Sequence, residues 1–361
     1  MAPRNLLWFN LATDRDDPVL AFTLSWLNAA AAHFDHIDVI TMRAGSLDLA
    51  ENITIHSLGK ESDASKAQQF LRFYRHFLPG LRRRNYVGCF AHMQPRLASL
   101  AGPFLRWKAV PMILWYAHGN VPWHLRLAER WVSQIFTPTA ESCRLASEKI
   151  QVVGHGIDTD HFQPAPLTTE PETNPFTIVY AGRIDPIKRM EMLFSALDHL
   201  SAQAHFPWQM RIIGVASPGQ EDYELRLRQE AKHRFGERVR FSGARHYQDM
   251  PDIYQTADVL WSASATGSLD KVLLEAMACG LPIVTNSEAA VELLPPPADE
   301  WLIPVGLDDR AAALHFAEKT IQLQRQTPSK RRELSQQLRS VVVENHNLSV
   351  LAQTIAEAFS R

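Results

Sequence analysis

The sequence predicts an α/β chain built from two doubly wound parallel-sheet domains, and three observations predict it. Strand-like and helix-like runs alternate along most of the 361 residues, which calls for parallel strands joined by right-handed crossovers. A Pro/Thr/Glu-rich stretch at 164–175 breaks the alternation near the middle. It can form neither a helix nor a central strand and reads as an interdomain linker. The length suits two domains of ordinary size, each with its own core.

In the first half, 5–11, 37–41, 53–58, 86–91 and 110–116 read as strands, with helices over 18–34, 65–84, 94–106 and 121–133. After the linker, strands are expected at 177–181, 209–213, 239–241, 259–262, 283–285 and 302–305, with a helix from about residue 189. The end of the chain differs: 308–325, 329–344 and 349–360 read as helices with no strand between them. The expected domains are 1–163 and 177–345, separated by a linker at 164–176 and followed by a terminal helix at 346–361. No internal repeat or low-complexity tract is visible.

An apolar fraction of 46% and a charged fraction of 21% are those of a soluble globular protein. No apolar run approaches the ~18–20 residues of a membrane span; the longest, at 109–117, reads as a buried strand. The N-terminus has no signal-peptide layout and reads as a first strand. Cys89, Cys143 and Cys279 are odd in number and scattered, which argues for a reduced cytoplasmic chain without disulfides or structural zinc. Residues 1–164 carry 17 Lys/Arg against 14 Asp/Glu, leaving 20 against 25 for the rest. No carboxylate occurs between Asp63 and Glu129, an interval with basic residues from Lys66 to Arg126. Around Phe70, Leu71, Arg72, Tyr74 and Arg75 it interleaves aromatic and basic side chains. Such a stretch suits an anionic membrane surface, with the basic face of an ordinary amphipathic helix as the plainer alternative. Nucleic acid is disfavoured by the slightly negative net charge and the lack of a binding motif.

Two strand–loop–helix units carry the chemistry. The strand 177–181 runs into Gly182-Arg183-Ile184-Asp185-Pro186-Ile187-Lys188. Further on, Thr266-Gly267-Ser268-Leu269-Asp270-Lys271 opens a helix that ends at Gly280-Leu281-Pro282. A loop feeding a helix N-terminus presents free N–H groups and the positive end of the helix dipole, which together bind anions. Two such units with cations suggest one diphosphate held between them: Arg183 as a planar fork, Lys188 as a compact charge, Lys271 as a third cation. Glu275 lies between apolar neighbours, with Lys271 four residues before it as a candidate ion-pair partner. Asp270 stands just before the helix, where Asp is a favoured cap. Arg189 reads as solvated surface. His92 and His118 each end a strand of the first half, and His155 precedes the linker.

Gly182-Arg183, Lys188 and Glu275-Ala276-Met277-Ala278-Cys279-Gly280-Leu281-Pro282 resemble the nucleotide-sugar half of the family 4 glycosyltransferases. Gly267 stands where that family usually has a first Glu, and the loop fits a bacterial sub-pattern reading Thr-Gly-x-Leu-Asp-Lys. The resemblance implies a GT-B fold: two Rossmann-like domains facing a cleft, with the last helix crossing back to the first domain. It implies a retaining, metal-independent hexosyltransferase with no cofactor, moving sugar from a nucleoside diphosphate to a saccharide or lipid-linked acceptor in cell-surface polysaccharide or glycolipid synthesis. A peripheral place on the inner face of the cytoplasmic membrane follows. Gly182, Arg183, Lys188, Arg245, Gly267, Ser268, Leu269, Asp270, Lys271 and Glu275 would form the donor site, with Glu275 accepting two hydrogen bonds from the vicinal ribose hydroxyls and Asp270 either contacting the sugar in place of the missing Glu or only capping the helix. His118, Arg183, Lys188 and Asp270 would act in catalysis, with His92 and His118 toward the acceptor. The DxD triplets Asp14-Arg15-Asp16 and Asp158-Thr159-Asp160 lie away from the phosphate loops, and no GxGxxG follows the first strand. The alternatives are a silent nucleotide-sugar-binding protein and another GT-B enzyme such as an epimerase.

Overall fold

A computed structural model describes residues 3–165, 175–264, 267–291, 293, 294, 296 and 298–360. Most of the expected linker, residues 166–174, lies outside the described residues. The chain divides into two units, Met1–Asp158 with His346–Arg361, and Thr159–Asn345. The first crossing therefore falls at Asp158/Thr159, before the expected boundary at 163.

Unit 1 runs β1 (Asn5–Thr13), α1 (Thr23–Ala31), β2 (His36–Ala44), β3 (Ile53–Ser57), α2 (Lys66–Arg83), β4 (Tyr86–His92), α3 (Pro95–Trp107), β5 (Met112–Trp115), α4 (Trp123–Glu129), β6 (Gln134–Thr137) and β7 (Ile150–Val152). All seven strands are parallel, in the order β3-β2-β1-β4-β5-β6-β7. β1 is buried along nearly its whole length, as a central parallel strand covered on both faces must be. Ser65 and Gln68 form a reciprocal capping box that starts α2. Phe73 and Phe77 on its inner face then meet Phe9 of β1 edge-on, at 5.7 and 6.3 Å between ring centroids.

Three expectations for this unit change. α1 starts at Thr23 rather than 18, because the Asp17 carboxylate accepts from the amides of Val19 and Leu20, both at 2.8 Å, and closes a separate turn first. The helix expected over 121–133 stops at Glu129, and β6 follows almost at once. β7 was not anticipated either: it has three residues, none of them buried, so it carries no apolar alternation.

Unit 2 runs β8 (Phe176–Ala181), a 3₁₀ turn (Pro186–Lys188), α5 (Met190–Gln203), β9 (Trp208–Ile213), α6 (Glu221–Phe235), β10 (Val239–Gly243), α7 (Met250–Gln255), β11 (Val259–Ser262), α8 (Lys271–Ala278), β12 (Ile283–Thr285), α9 (Asp309–Arg325) and α10 (Pro328–Asn345). Its five strands are parallel, in the order β10-β9-β8-β11-β12. The strand expected at 302–305 reduces to one bridge between Leu302 and Thr285. Pro304 has no N–H to extend the ladder.

The last helix, α11 (Leu348–Ala358), belongs with unit 1. Phe359 lies over Gly88 of β4, where a Cβ would sit 2.1 Å from its ring. Arg4 donates to the Ala356 carbonyl and the Ser360 hydroxyl, both at 2.8 Å. The two segments through which the chain leaves and re-enters this unit are paired. Ile157 donates to the His346 carbonyl at 2.6 Å, Leu348 donates to the Ile157 carbonyl at 2.8 Å, and the His155 amide donates to His346 Nδ1 at 3.1 Å.

Burial lowers the His346 pKa from 6.5 to about 4. The unfolded chain takes up a proton in that interval which the folded unit refuses, so this group's effect is stability retained above pH 6.5 and lost as pH falls toward 4. Between pH 7 and pH 4, urea unfolding should show about 3 kcal/mol less pH-linked loss in His346→Gln than in the parent. Equal losses in both proteins would dismiss the assignment.

Candidate functional site

Strand order reverses in unit 2 between β8 and β11, because β8 leads by way of α5 to β9 on one side while β11 lies on the other. In an open parallel sheet the loops leaving two such strands diverge and leave a crevice at their carboxyl ends, where ligands bind. The two motif-bearing loops are the loops that follow β8 and β11.

The backbone of the first loop is set by glycines. Gly182, Gly214 and Gly243 stand at the ends of the adjacent strands β8, β9 and β10 with φ of 146°, 134° and 71°. Gly182 donates to the Ile213 carbonyl at 3.0 Å, and Gly214 to that of Gly243 at 2.8 Å. A Cβ on Gly214 would lie 1.9 Å from the Gly182 carbonyl oxygen, so the approach requires glycine. Beneath the loop, the buried Tyr180 hydroxyl donates to the Arg183 carbonyl at 2.7 Å. Burial and then the nearby Asp270 charge push this phenol well above the ordinary range, so it stays a proton donor. Asp185 accepts from the Ile187 amide at 3.1 Å and caps the 3₁₀ turn that ends at Lys188. Its burial works against ionisation, but the Ile187 and Ser217 hydrogen bonds and the charges of Arg183 and Lys188 hold its pKa below the usual carboxylate range.

Lys188 and Asp270, 82 residues apart, meet at the crevice. Lys188 Nζ donates to Asp270 Oδ1 at 2.9 Å, to Asp270 Oδ2 at 2.8 Å and to Ser264 Oγ at 3.0 Å. The two charged side chains are 12% and 18% exposed. Of the two roles left open for Asp270, the cap is not made: it occupies the N-cap position of α8 but makes no side-chain cap hydrogen bond. Its carboxylate is turned to Lys188 instead.

One turn into α8, Glu275 is buried. Tyr254 donates to its Oε2 at 3.3 Å, and Lys271 Nζ lies 3.8 Å from Oε1. Lys271 also lies over the Tyr247 ring, 5.3 Å from its centroid, and His161 stacks on that ring at 5.3 Å. Burial raises the Glu275 pKa above the usual range, while the Lys271 charge and the Tyr254 hydrogen bond act against the rise. Arg339 of α10 closes the other end of α8. It donates to the Ala278 carbonyl, to that of Phe162 at 2.8 Å and to that of Thr159 at 3.2 Å.

The remaining expectations divide. Arg183 and Arg245 are exposed, and Gly267 takes a φ of 65° before the half-buried Ser268. Thr266 lies outside the described residues. The Leu269 side chain is in the core rather than open to a ligand. Arg189 is ion-paired with Asp309 rather than merely solvated. In unit 1, His118 is exposed after β5, its Nδ1 accepting from the Asn120 amide at 3.0 Å. His92 is 1% exposed, bonded to Asn10 Oδ1 at 3.0 Å and enclosed by Phe22, Trp26 and Trp115. It is a buried strand-end histidine and does not face solvent, unlike an acceptor-side group. His155 is likewise buried, against Trp115. Asp14 of the first DxD triplet accepts from the amides of Asp16 and Ser46 at 3.1 and 3.0 Å.

Sequence reasoning did not single out Tyr180, Ser264, Tyr247, Tyr254, His161 or Arg339. All but Tyr180 act through a neighbour distant in the chain, and a single residue in a strand or helix gives no local sign of that. Ser264, two residues past the end of β11, had a positional signal.

Residues 175–325 match the family model described as Glycosyl transferases group 1. A candidate colanic acid biosynthesis glycosyltransferase of Escherichia coli K12, WcaL, is 27% identical over 194 residues, which is 52% of this chain and 46% of that protein. A D-inositol 3-phosphate glycosyltransferase of Mycobacterium sp. (strain KMS) is 32% identical over 162 residues, 41% of this chain and 33% of that protein. The chain thus spans less than half the length of these curated relatives. Among solved structures, Anabaena HepE in complex with UDP and glucose aligns over 99% of both chains, with a TM-score of 0.74 at 18% identity. The fold is GT-B.

The close approach at Gly214 gives a direct test of the loop geometry. Gly214→Ala should lower stability by about 3 kcal/mol, combining left-handed backbone strain with overpacking against Gly182. Urea denaturation measures it, and a loss below about 0.5 kcal/mol, the scale of an ordinary surface change, would contradict the geometry.

Proposed function

We propose that the chain is a retaining glycosyltransferase that uses a nucleoside diphosphate sugar, in cell-surface polysaccharide or glycolipid synthesis. The observation that carries the reading is the convergence of Arg183, Lys188 and the N-terminus of α8 at the strand-order switch of unit 2, with Glu275 buried one turn along that helix. HepE, of the same fold, was solved with UDP and glucose. The family match over residues 175–325 covers the unit that holds this site.

The roles follow from the chemistry. In the transfer, the bond from the anomeric carbon to the diphosphate breaks, the acceptor oxygen bonds to that carbon, and the acceptor's proton passes to the departing phosphate oxygen and on to water. Negative charge then grows on the diphosphate. Arg183, Lys188, Lys271 and the amides at the start of α8 stabilise it by position and charge. Glu275 accepts from the ribose hydroxyls, and the loop at 267–270 borders the sugar. Arg245 and the glycine turns beside it lie toward the base. Fixed cations and helix ends do the work a divalent ion does elsewhere, so the transfer needs no metal. In unit 1, exposed His118 is the acceptor-side group.

A thermal-shift screen of nucleoside diphosphate sugars names the donor, since a ligand bound by the folded state raises its stability by mass action. With that donor, Arg183→Ala should reduce transfer or donor hydrolysis about 10²–10³-fold, and EDTA should leave the rate unchanged. A donor that binds and never turns over would favour a silent binding protein.

A second part of the reading concerns the surface of unit 1. Phe70 and Leu71 are exposed on α2 among Lys66, Arg72 and Arg75, and exposed Trp107 carries Lys108 against its ring. Apolar and basic groups side by side suit docking on anionic lipid, where each cation contributes about 1 kcal/mol. No described helix is long and apolar enough to cross a membrane. The protein should sediment with vesicles containing phosphatidylglycerol and stay in the supernatant with phosphatidylcholine alone. Equal recovery in both fractions would remove the idea.

A further inference from the structure

We infer that Asp270 sets the balance between an intact sugar donor and its spent nucleoside diphosphate by occupying Lys188. The inference rests on the donor reading above and assigns a positioning residue within that site.

An ammonium group has three N–H donors. Lys188 Nζ lies within hydrogen-bond distance of both Asp270 carboxylate oxygens, at 2.9 and 2.8 Å, and of Ser264 Oγ at 3.0 Å. Asp270 has an alternative at hand, since it stands at the N-cap of α8, and its side chain does not take it. The pair is largely buried, so water screens it little. While paired, Lys188 brings little net charge to the crevice. A phosphate draws on its full charge only in competition with Asp270.

Two ligands meet this pair with different charge. In a sugar ester each of the two phosphates carries one charge. Once the sugar has left, the terminal phosphate is held only by its anhydride link and has a second ionisation near pH 6, so at neutral pH it carries about one more negative charge. An unpaired lysine would favour this product over the donor. Asp270, by neutralising the lysine, removes most of that preference and lets the product leave. Its action on the ligand passes through Lys188.

The test is calorimetric binding of UDP, ADP and GDP, and of their glucose esters, to the full chain and to Asp270→Asn. The amide keeps the size of the side chain and removes its charge; Asp270→Ser serves if the amide variant does not fold. With the nucleotide that binds, Asp270→Asn should tighten the free diphosphate on the order of tenfold, the scale of one desolvated charge pair, and the glucose ester by clearly less. The gain for the diphosphate should fade below about pH 6, as its terminal phosphate takes up a proton. In a Lys188→Ala background the same substitution should have no effect. A merely structural role would shift both ligands alike, with no dependence on pH or on Lys188, and would overturn the inference. So would an unchanged diphosphate affinity with a weakened sugar ester, which would make Asp270 a direct sugar contact. If the parent chain binds no diphosphate and no ester, the donor reading itself fails, a result distinct from either.

Discussion

The ion pair between Lys188 and Asp270 ties together the two loops that leave the sheet of unit 2 at its switch point. One member ends the turn after β8 and the other stands before α8. A largely buried ion pair is weak evidence for stability, because desolvation offsets much of the attraction between the charges. It stands at the carboxyl ends of β8 and β11, the end of an open parallel sheet where a crevice forms at a strand-order switch. The pair also accounts for the uncapped start of α8, since a carboxylate directed at Lys188 leaves the first amides of the helix to other acceptors.

The rest of the site supports that junction from below and from the side. Three strand-end glycines let the first loop pack against β9, and the Tyr180 hydroxyl holds it through the Arg183 carbonyl. On the other side, α8 is held along its length by polar side chains. Tyr254 and Lys271 meet Glu275 near its middle, and the Arg339 guanidinium takes the Ala278 carbonyl at its end. Arg339 also takes the carbonyls of Thr159 and Phe162, in the first segment of chain to enter the unit. The entry segment and the helix carrying the central carboxylate thus share one guanidinium, whose several donors have fixed geometry.

Much of this architecture was legible in the chain. The burial of β1 on both faces shows as an unbroken apolar run, and the stripe Phe73, Phe77, Leu81 shows as helical spacing. β7, short and unburied, has no apolar pattern and was not legible, whereas 302–305 has the apolar composition of a strand but is stopped by Pro304. In the site, Gly182, Lys188 and Glu275 stand out because their residue types and neighbours carry a local meaning. For Asp270 the sequence left a cap and a ligand contact open, because Asp before a helix suits either. His92 misled because a histidine at a strand end has the same sequence environment whether it faces solvent or, as here, Trp26 and Trp115.

The sequence by itself determined the doubly wound α/β class and the two loop–helix elements with their cations. These depend on periodicity and turn chemistry, which act over a few residues. Only the tertiary structure decided which charged groups face one another. Lys188 reaches Asp270 because the strand order puts β8 beside β11, and residues 82 apart become neighbours only through that order. The same order brings Gly214 against Gly182. Charge and burial at the site follow from these pairings, so its chemistry is a property of the folded sheet rather than of any one segment.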